Sequence, residues 1–223
     1  MQRVQISAIA LLGSLVLGAS GASAEDVSAV RPMDTYDRST VPAAAFMRVF
    51  GSAQPPHGFV RFCDAVPKEC RPDHKSESRF DASAERLQEL DDINRVVNKA
   101  IEPATDLEVY GVNEYWTLPQ TKGDCEDYAL LKRRTLIEKG WPVSSLLMTV
   151  VRDEKGEGHA VLTARTIQGD FILDNKIDEV RVWNQMPYQF VMRQSYLNPH
   201  VWVSLDTRQG NMATALSGVE ENQ

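Results

Sequence analysis

The hydrophobic period changes once along this chain, at Gly140-Trp141-Pro142, and that change limits the folds open to it. Upstream, Leu87, Leu90, Ile93, Val96, Val97 and Ala100 recur three or four residues apart between Asp81 and Ile101, after a cap at Asp81 or Ser83, which predicts an amphipathic helix. The spacing predicts a second helix from about Cys125 through Lys139, with Ala129, Leu130, Arg133 and Leu136 on successive turns, stopped by Gly140 and Pro142. Tyr110 to Lys122, between them, reads as irregular. Downstream the period becomes two. Leu146 to Val151 and Ala160 to Ala164, joined by the turn-rich Asp153 to Gly158, predict an antiparallel hairpin, followed by strands at Phe171-Ile172-Leu173 and Val201-Trp202-Val203. Helix, helix, then several antiparallel strands is an α+β order.

A chain of 223 residues suits one domain, and 43% hydrophobic with 25% charged residues is ordinary globular composition. Lys and Arg total 24 against 31 Asp and Glu, a net charge of -7 with no basic run, so nucleic acid is not an expected partner. Met1 to Ala24 has Arg3, an uncharged apolar stretch from Ile6 to Leu17, and the small-residue pattern Ala22-Ser23-Ala24, which together read as a secretory signal. Gly13, Ser14, Gly18 and Ser20 interrupt the stretch, which argues against a membrane anchor. The expected arrangement is a signal at 1–24, one domain at 25–206 and a frayed tail at 207–223, exported, and periplasmic in a Gram-negative source. Residues 25 to 58, with Pro32, Pro42, Pro55 and Pro56, read as an extended lead-in.

Export gives the three cysteines a context, since an oxidising compartment favours disulfides. Cys63 and Cys70 bracket Pro67 in a segment read as lacking helical or strand period, and are expected to close a disulfide loop. A metal site there would need a second Cys or His pair at short spacing, and His57 and His74 stand among prolines and charges.

Cys125 is then left unpaired, within Gly123-Asp124-Cys125-Glu126-Asp127-Tyr128, where an irregular loop enters a helix. Free N–H groups and the positive end of the helix dipole favour a thiolate there, and can receive an oxyanion. The three adjacent carboxylates oppose it, so a positive partner is needed. Of the histidines, His57 and His74 lie in proline-flanked loops and His200 follows Pro199, whereas His159 opens a strand after a glycine-containing turn. Asp174 ends the next strand and is the candidate to orient the imidazole, giving Cys, His and Asp on helix, strand and strand. Taken singly, a free cysteine can be a core residue, and His159 and Asp174 can be turn residues; their combination is what points to nucleophilic catalysis. Tyr128, Ala129 and Leu130 read as core.

Gly123-Asp124-Cys125-Glu126-Asp127-Tyr128-Ala129, with Trp116 and Pro119 before it and Lys132, Gly140, His159-Ala160-Val161-Leu162 and Leu173-Asp174-Asn175 after it, resembles the bacterial transglutaminase-like cysteine proteinases. The resemblance spans about 110–200 and, more weakly, the loop at Phe62 to Cys70; Pro119 to Gly123 is shorter than the family pattern. It implies a papain-like or transglutaminase-like core, with the nucleophile at a helix N-terminus packed on an antiparallel sheet. Cys125 would be the nucleophile, His159 the general base and then acid, and Asp174 its orienting group. Gln120 or Trp116 is the candidate second oxyanion donor. The resemblance further implies calcium at Asp124 and Glu126, a surface adhesin as protein substrate, a link to biofilm release and a regulatory partner at the inner membrane. The bland alternative for Asp124, Glu126 and Asp127 is that they complement the helix N-terminus. Acyl transfer to an amine, in the manner of a transglutaminase, and a non-catalytic calcium-binding scaffold are the competing functions.

Overall fold

The computed structural model describes residues 45–72 and 79–207. The expected signal at 1–24, most of the lead-in, His74 and the tail from 208 onward lie outside the described residues.

Helix α2, Ala84–Ala100, starts at Ser83, whose hydroxyl accepts from the Arg86 N–H, and buries Leu90, Ile93 and Val97 at the predicted spacing. Helix α4, Cys125–Glu138, follows the short α3, Asp106–Tyr110. Its end is built by Gly140, whose φ of 92° lets its N–H reach Ile137 O and the Trp141 N–H reach Leu136 O. Trp141 is then carried inward and buried. This turn converts helical into strand geometry where the hydrophobic period changes.

After it, β4 (Leu146–Arg152) and β5 (Gly158–Thr166) form the predicted hairpin, β6 (Gly169–Leu173) pairs with β5, and β9 (Trp202–Ser204) lies further along the sheet. Three further strands complete it: β1 (Gly51–Ala53), β7 (Arg181–Val182) and β8 (Gln189–Gln194). The order is β1-β9-β8-β4-β5-β6-β7, with every neighbouring pair antiparallel. Two short strands, β2 (Glu102–Pro103) and β3 (Lys122–Gly123), pair in parallel and bring the loop before Cys125 against the end of α2.

Alternation along the strands fills two cores. Met148, Leu162, Ala164 and Leu173 face α2 and α4 with Leu90, Ile93, Val97, Tyr128, Ala129 and Leu136. Val151, Val161 and Ile172 face the other way, under Met47, Met186, Phe190 and Leu205. β5 is therefore buried from His159 to Thr166, with β4 along one edge and β6 along the other from Leu162 to Thr166. No helix among the described residues is long and apolar enough to cross a membrane.

The fold corrects the reading of 51–70. His57–Ala65 is a helix, α1, followed by a 3₁₀ turn at Pro67–Cys70, and only the stretch before it is extended, part of it as β1. Phe59, Phe62 and Cys63 are buried three and four apart, a helical period too short to stand out next to Pro55 and Pro56. β8 escaped because Gln189 to Gln194 has only a short apolar run between Pro187 and Pro199.

Cys63 and Cys70 form a disulfide joining α1 to the 3₁₀ turn. Buried Arg133 of α4 donates to Glu69 O in that turn and to Leu146 O at the start of β4, so one guanidinium fastens three segments. The eight-residue ring should contribute about 2.5 kcal/mol through loop entropy. The Cys63→Ser/Cys70→Ser double variant should lose about that much in equilibrium urea unfolding, while denatured wild-type protein should show one free thiol, Cys125, by thiol titration.

Candidate active site

Asp124 caps α4 with its backbone carbonyl, which accepts from the Tyr128 N–H at 3.1 Å, so Cys125 is the first helical residue. α4 packs across β5, and the Cys125 thiol meets the beginning of that strand. β6 stops pairing with β5 at Leu162↔Leu173, and beyond that point the Ala160 N–H donates to Cys125 Sγ at 3.4 Å. His159 precedes Ala160, and its Nε2 lies 2.8 Å from Asp174 Oδ1. Asp174 leaves β6 at this level, so the adjoining strands β5 and β6 supply the two side chains.

Asp174 is 1% exposed and accepts also from the Lys176 N–H at 3.0 Å and from Tyr188 Oη at 2.5 Å. Burial works to raise its pKa, but the hydrogen bonds and charge of His159, then Lys176 and Tyr188, hold it below the usual carboxylate value. An ionised Asp174 can only accept, so His159 Nε2 carries a proton and Nδ1 is the nitrogen left to face other partners. The Tyr188 ring stands edge-on to His159, with centroids 5.6 Å apart, and restricts the imidazole's rotation. Tyr188 was not foreseen; it lies in an irregular stretch with no motif around it.

Cys125, Glu126, His159 and Ala160 line one cleft of about 230 Å³ with Pro56, Trp116, Val150, Gly158 and Met192. Trp116 therefore reaches the site, but its Nε1–H is taken by Glu114 Oε1 at 2.6 Å. Gln120 is exposed and does not line this cleft, so the structure does not bring it to the thiol; Leu118 and Pro119 are turned inward and Gln120 outward. The donor that the structure places on the sulfur is the Ala160 N–H, beside a helix start whose first-turn N–H groups have no intrahelical acceptor.

The acidic surroundings are denser than the sequence alone indicates. Asp106 of α3, Asp124 and Glu126 each bring a carboxylate oxygen within 4.8 Å of the others. Asp106 Oδ1, Asp124 Oδ1 and Asp127 Oδ2 are buried with no hydrogen-bond partner, while Asp127 Oδ1 accepts from the Thr117 N–H at 2.9 Å. Burial, then mutual repulsion, raises Asp106 and carries Glu126 to about 9 and Asp127 to about 8. Cys125 Sγ donates to Glu126 Oε2 at 3.1 Å, and burial followed by the Glu126 charge pushes the thiol well above its ordinary value. Left to itself, this cluster holds the sulfur as a thiol. A divalent cation suits the set: three hard oxygen donors from separate residues, two with unpartnered buried oxygens. Asp106 was not foreseen, because it comes from a separate short helix, 18 residues before Asp124.

Residues 49–210 match the family described as "bacterial transglutaminase-like cysteine proteinase BTLCP". The match covers more than half of the chain, which belongs to this family of cysteine proteinases. Among solved structures, Legionella pneumophila LapG in its calcium-bound form shares 23% identity at a TM-score of 0.46, over 60% of this chain and 82% of that one. The EGTA-treated LapG structure shares 25% identity at a TM-score of 0.43, over 48% of this chain and 62% of that one, so the chain spans less than two thirds of its length. No curated protein matches.

A methyl group on Gly123 would fall 2.6 Å from Asp127 Oδ2 and 2.8 Å from its Cβ. Gly123→Ala should therefore push Asp127 off the Thr117 N–H and lower unfolding stability by about 1–3 kcal/mol, measurable in urea, with the far-UV spectrum unchanged.

Proposed function

We propose that this proteinase is exported and cleaves peptide bonds through a Cys125, His159, Asp174 triad. The observation that carries the proposal is the His159–Asp174 hydrogen bond at 2.8 Å, set in the same cleft as the thiol at the start of α4. The Sγ–H turns from Glu126 Oε2 toward His159 Nδ1, which accepts its proton as Sγ attacks the substrate carbonyl carbon. The negative charge moves to the carbonyl oxygen, facing the N–H groups of the first turn of α4. The tetrahedral species collapses, the C–N bond breaks, and the imidazolium returns the proton to the departing amine. Water, deprotonated by the same imidazole, then cleaves the Cys125 thioester and releases the acid. Asp174 keeps Nε2 protonated throughout and stabilises the imidazolium.

Calcium would be held by Asp106, Asp124 and Glu126, where its positive charge would neutralise the carboxylates beside the developing thiolate. The substrate we infer is a protein at the cell surface, an adhesin, reached from the periplasm if the source is Gram-negative, with a regulatory partner at the inner membrane. The signal-like pattern at 1–24 and the family resemblance support this reading.

The test compares the surface and periplasmic proteomes of cells carrying the wild-type protein or Cys125→Ala. At least one surface protein should be shortened only by the wild type, and identical cleavage patterns would sink the proposal. A second measurement isolates the metal. Iodoacetamide should alkylate Cys125 at least about tenfold faster in calcium than in EGTA at neutral pH, and Asp106→Asn should reduce that difference. Equal rates in calcium and EGTA would remove calcium from the mechanism.

A further inference from the structure

At the end of β5 away from Cys125, three arginines gather near one carboxylate, Asp170, and of these only Arg79 bonds it. Arg165 of β5 is directly opposite Asp170 of β6 in the ladder, Arg193 comes from β8, and Arg79 precedes the bridge between Phe80 and Thr166. Asp170 is wholly buried and both its oxygens are engaged. Arg79 Nη1 donates to Oδ1 at 2.7 Å, and the Met47 N–H donates to Oδ2 at 2.7 Å. One arginine thus neutralises the one acid.

The other two are left over. Arg165 Nε stands 3.9 Å from Asp170 Oδ1, too far for a hydrogen bond, and its guanidinium lies over the Tyr196 ring at 4.8 Å. Nε and Nη1 of both Arg165 and Arg193 are buried and have no hydrogen-bond partner among the described residues. Yet Arg165 is only 6% exposed and Arg193 only 4%. The nearby hydroxyls of Thr149 and Thr163 bond each other at 2.6 Å. Two buried like charges with unmet donors are costly, and the cost falls when an anion joins them. Burial is the largest influence on both arginines and lowers their pKa values. Arg165 is carried to about 9, with Arg193 as the next cause.

We propose that Arg79, Arg165 and Arg193 form a binding site for a small oxyanion, a phosphate, sulfate or carboxylate group. Planar guanidinium donors match the oxygens of such groups in pairs, which a lysine cannot reproduce. Arg79, 21% exposed, gives the cluster contact with solvent. Arg165 is five residues along β5 from Ala160, about 17 Å of strand rise, so the site is separate from the cleft. An anion there would tie β5, β6 and β8 together on the face of the sheet opposite α2 and α4.

Thermal unfolding of the purified protein should be compared in sodium phosphate, sodium sulfate and sodium acetate, each about 50 mM, with sodium chloride at equal ionic strength as the control. At about ten times the dissociation constant the melting temperature should rise by roughly 3–5 °C. The arm that produces the rise tells a tetrahedral oxyanion from a carboxylate. Arg193→Met should lose that rise while melting no lower than wild type in the chloride control, because an uncompensated buried charge has been removed. Titration calorimetry of phosphate, sulfate and acetate into wild type and Arg165→Lys provides a readout that does not depend on Arg193→Met folding. The proposal requires saturable heat with at least one oxyanion on wild type, weakened about tenfold or more in Arg165→Lys, which keeps the charge and loses the fork. An equal shift in wild type and Arg193→Met, or no saturable heat from any oxyanion on wild type, overturns it.

Discussion

The packing of α4 across β5 is the constraint on which the active-site cleft depends. Cys125 is the first residue of that helix, and His159 opens that buried strand. Docking their N-terminal ends against each other puts Sγ on the Ala160 N–H and the imidazole in the same cleft. Each element is fixed independently: α4 by its Gly140 turn and by Arg133, and β5 by ladders on both edges and apolar cores on both faces. The site sits on rigid elements, and the Asp174 carboxylate is held by three donors.

The same docking creates an electrostatic problem. Helix geometry invites a thiolate at Cys125, yet Asp106, Asp124, Glu126 and Asp127 crowd the same helix end. Burial and repulsion keep the thiol protonated and carry Glu126 and Asp127 toward the range of neutral acids. A free thiol near such a cluster is poorly nucleophilic until the negative charge is compensated. The unpartnered oxygens of Asp106 and Asp124 indicate where compensation fits. At the far end of β5 the imbalance has the opposite sign, with three arginines around Asp170. Both ends of this strand carry buried charge in excess of what the described residues pair.

Much of this was legible in the residues. The period change at Gly140-Trp141-Pro142 gave α+β, because a helical stripe and a strand alternation cannot be exchanged without turning apolar side chains to water. The helix start at Cys125 and the hairpin of β4 and β5 followed from local spacing. The short elements did not: α1 was hidden beside Pro55 and Pro56, and β1, β7 and β8 are strands through their partners more than through their own pattern. Gln120 looked eligible as an oxyanion donor by chain proximity, and the backbone turned it to solvent.

By itself, the sequence determined the class of fold, the odd cysteine, the Cys63 and Cys70 pairing that the structure bears out, and the identity of a thiol, an imidazole and a carboxylate as candidate partners. These follow from local periodicity, residue chemistry and resemblance to a family. Only the tertiary structure decided that Asp106 joins Asp124 and Glu126, that Tyr188 braces Asp174 and His159, and that Arg79, Arg165 and Arg193 meet around one acid. Those groupings draw on elements far apart in the chain, and burial and charge act through distance in space.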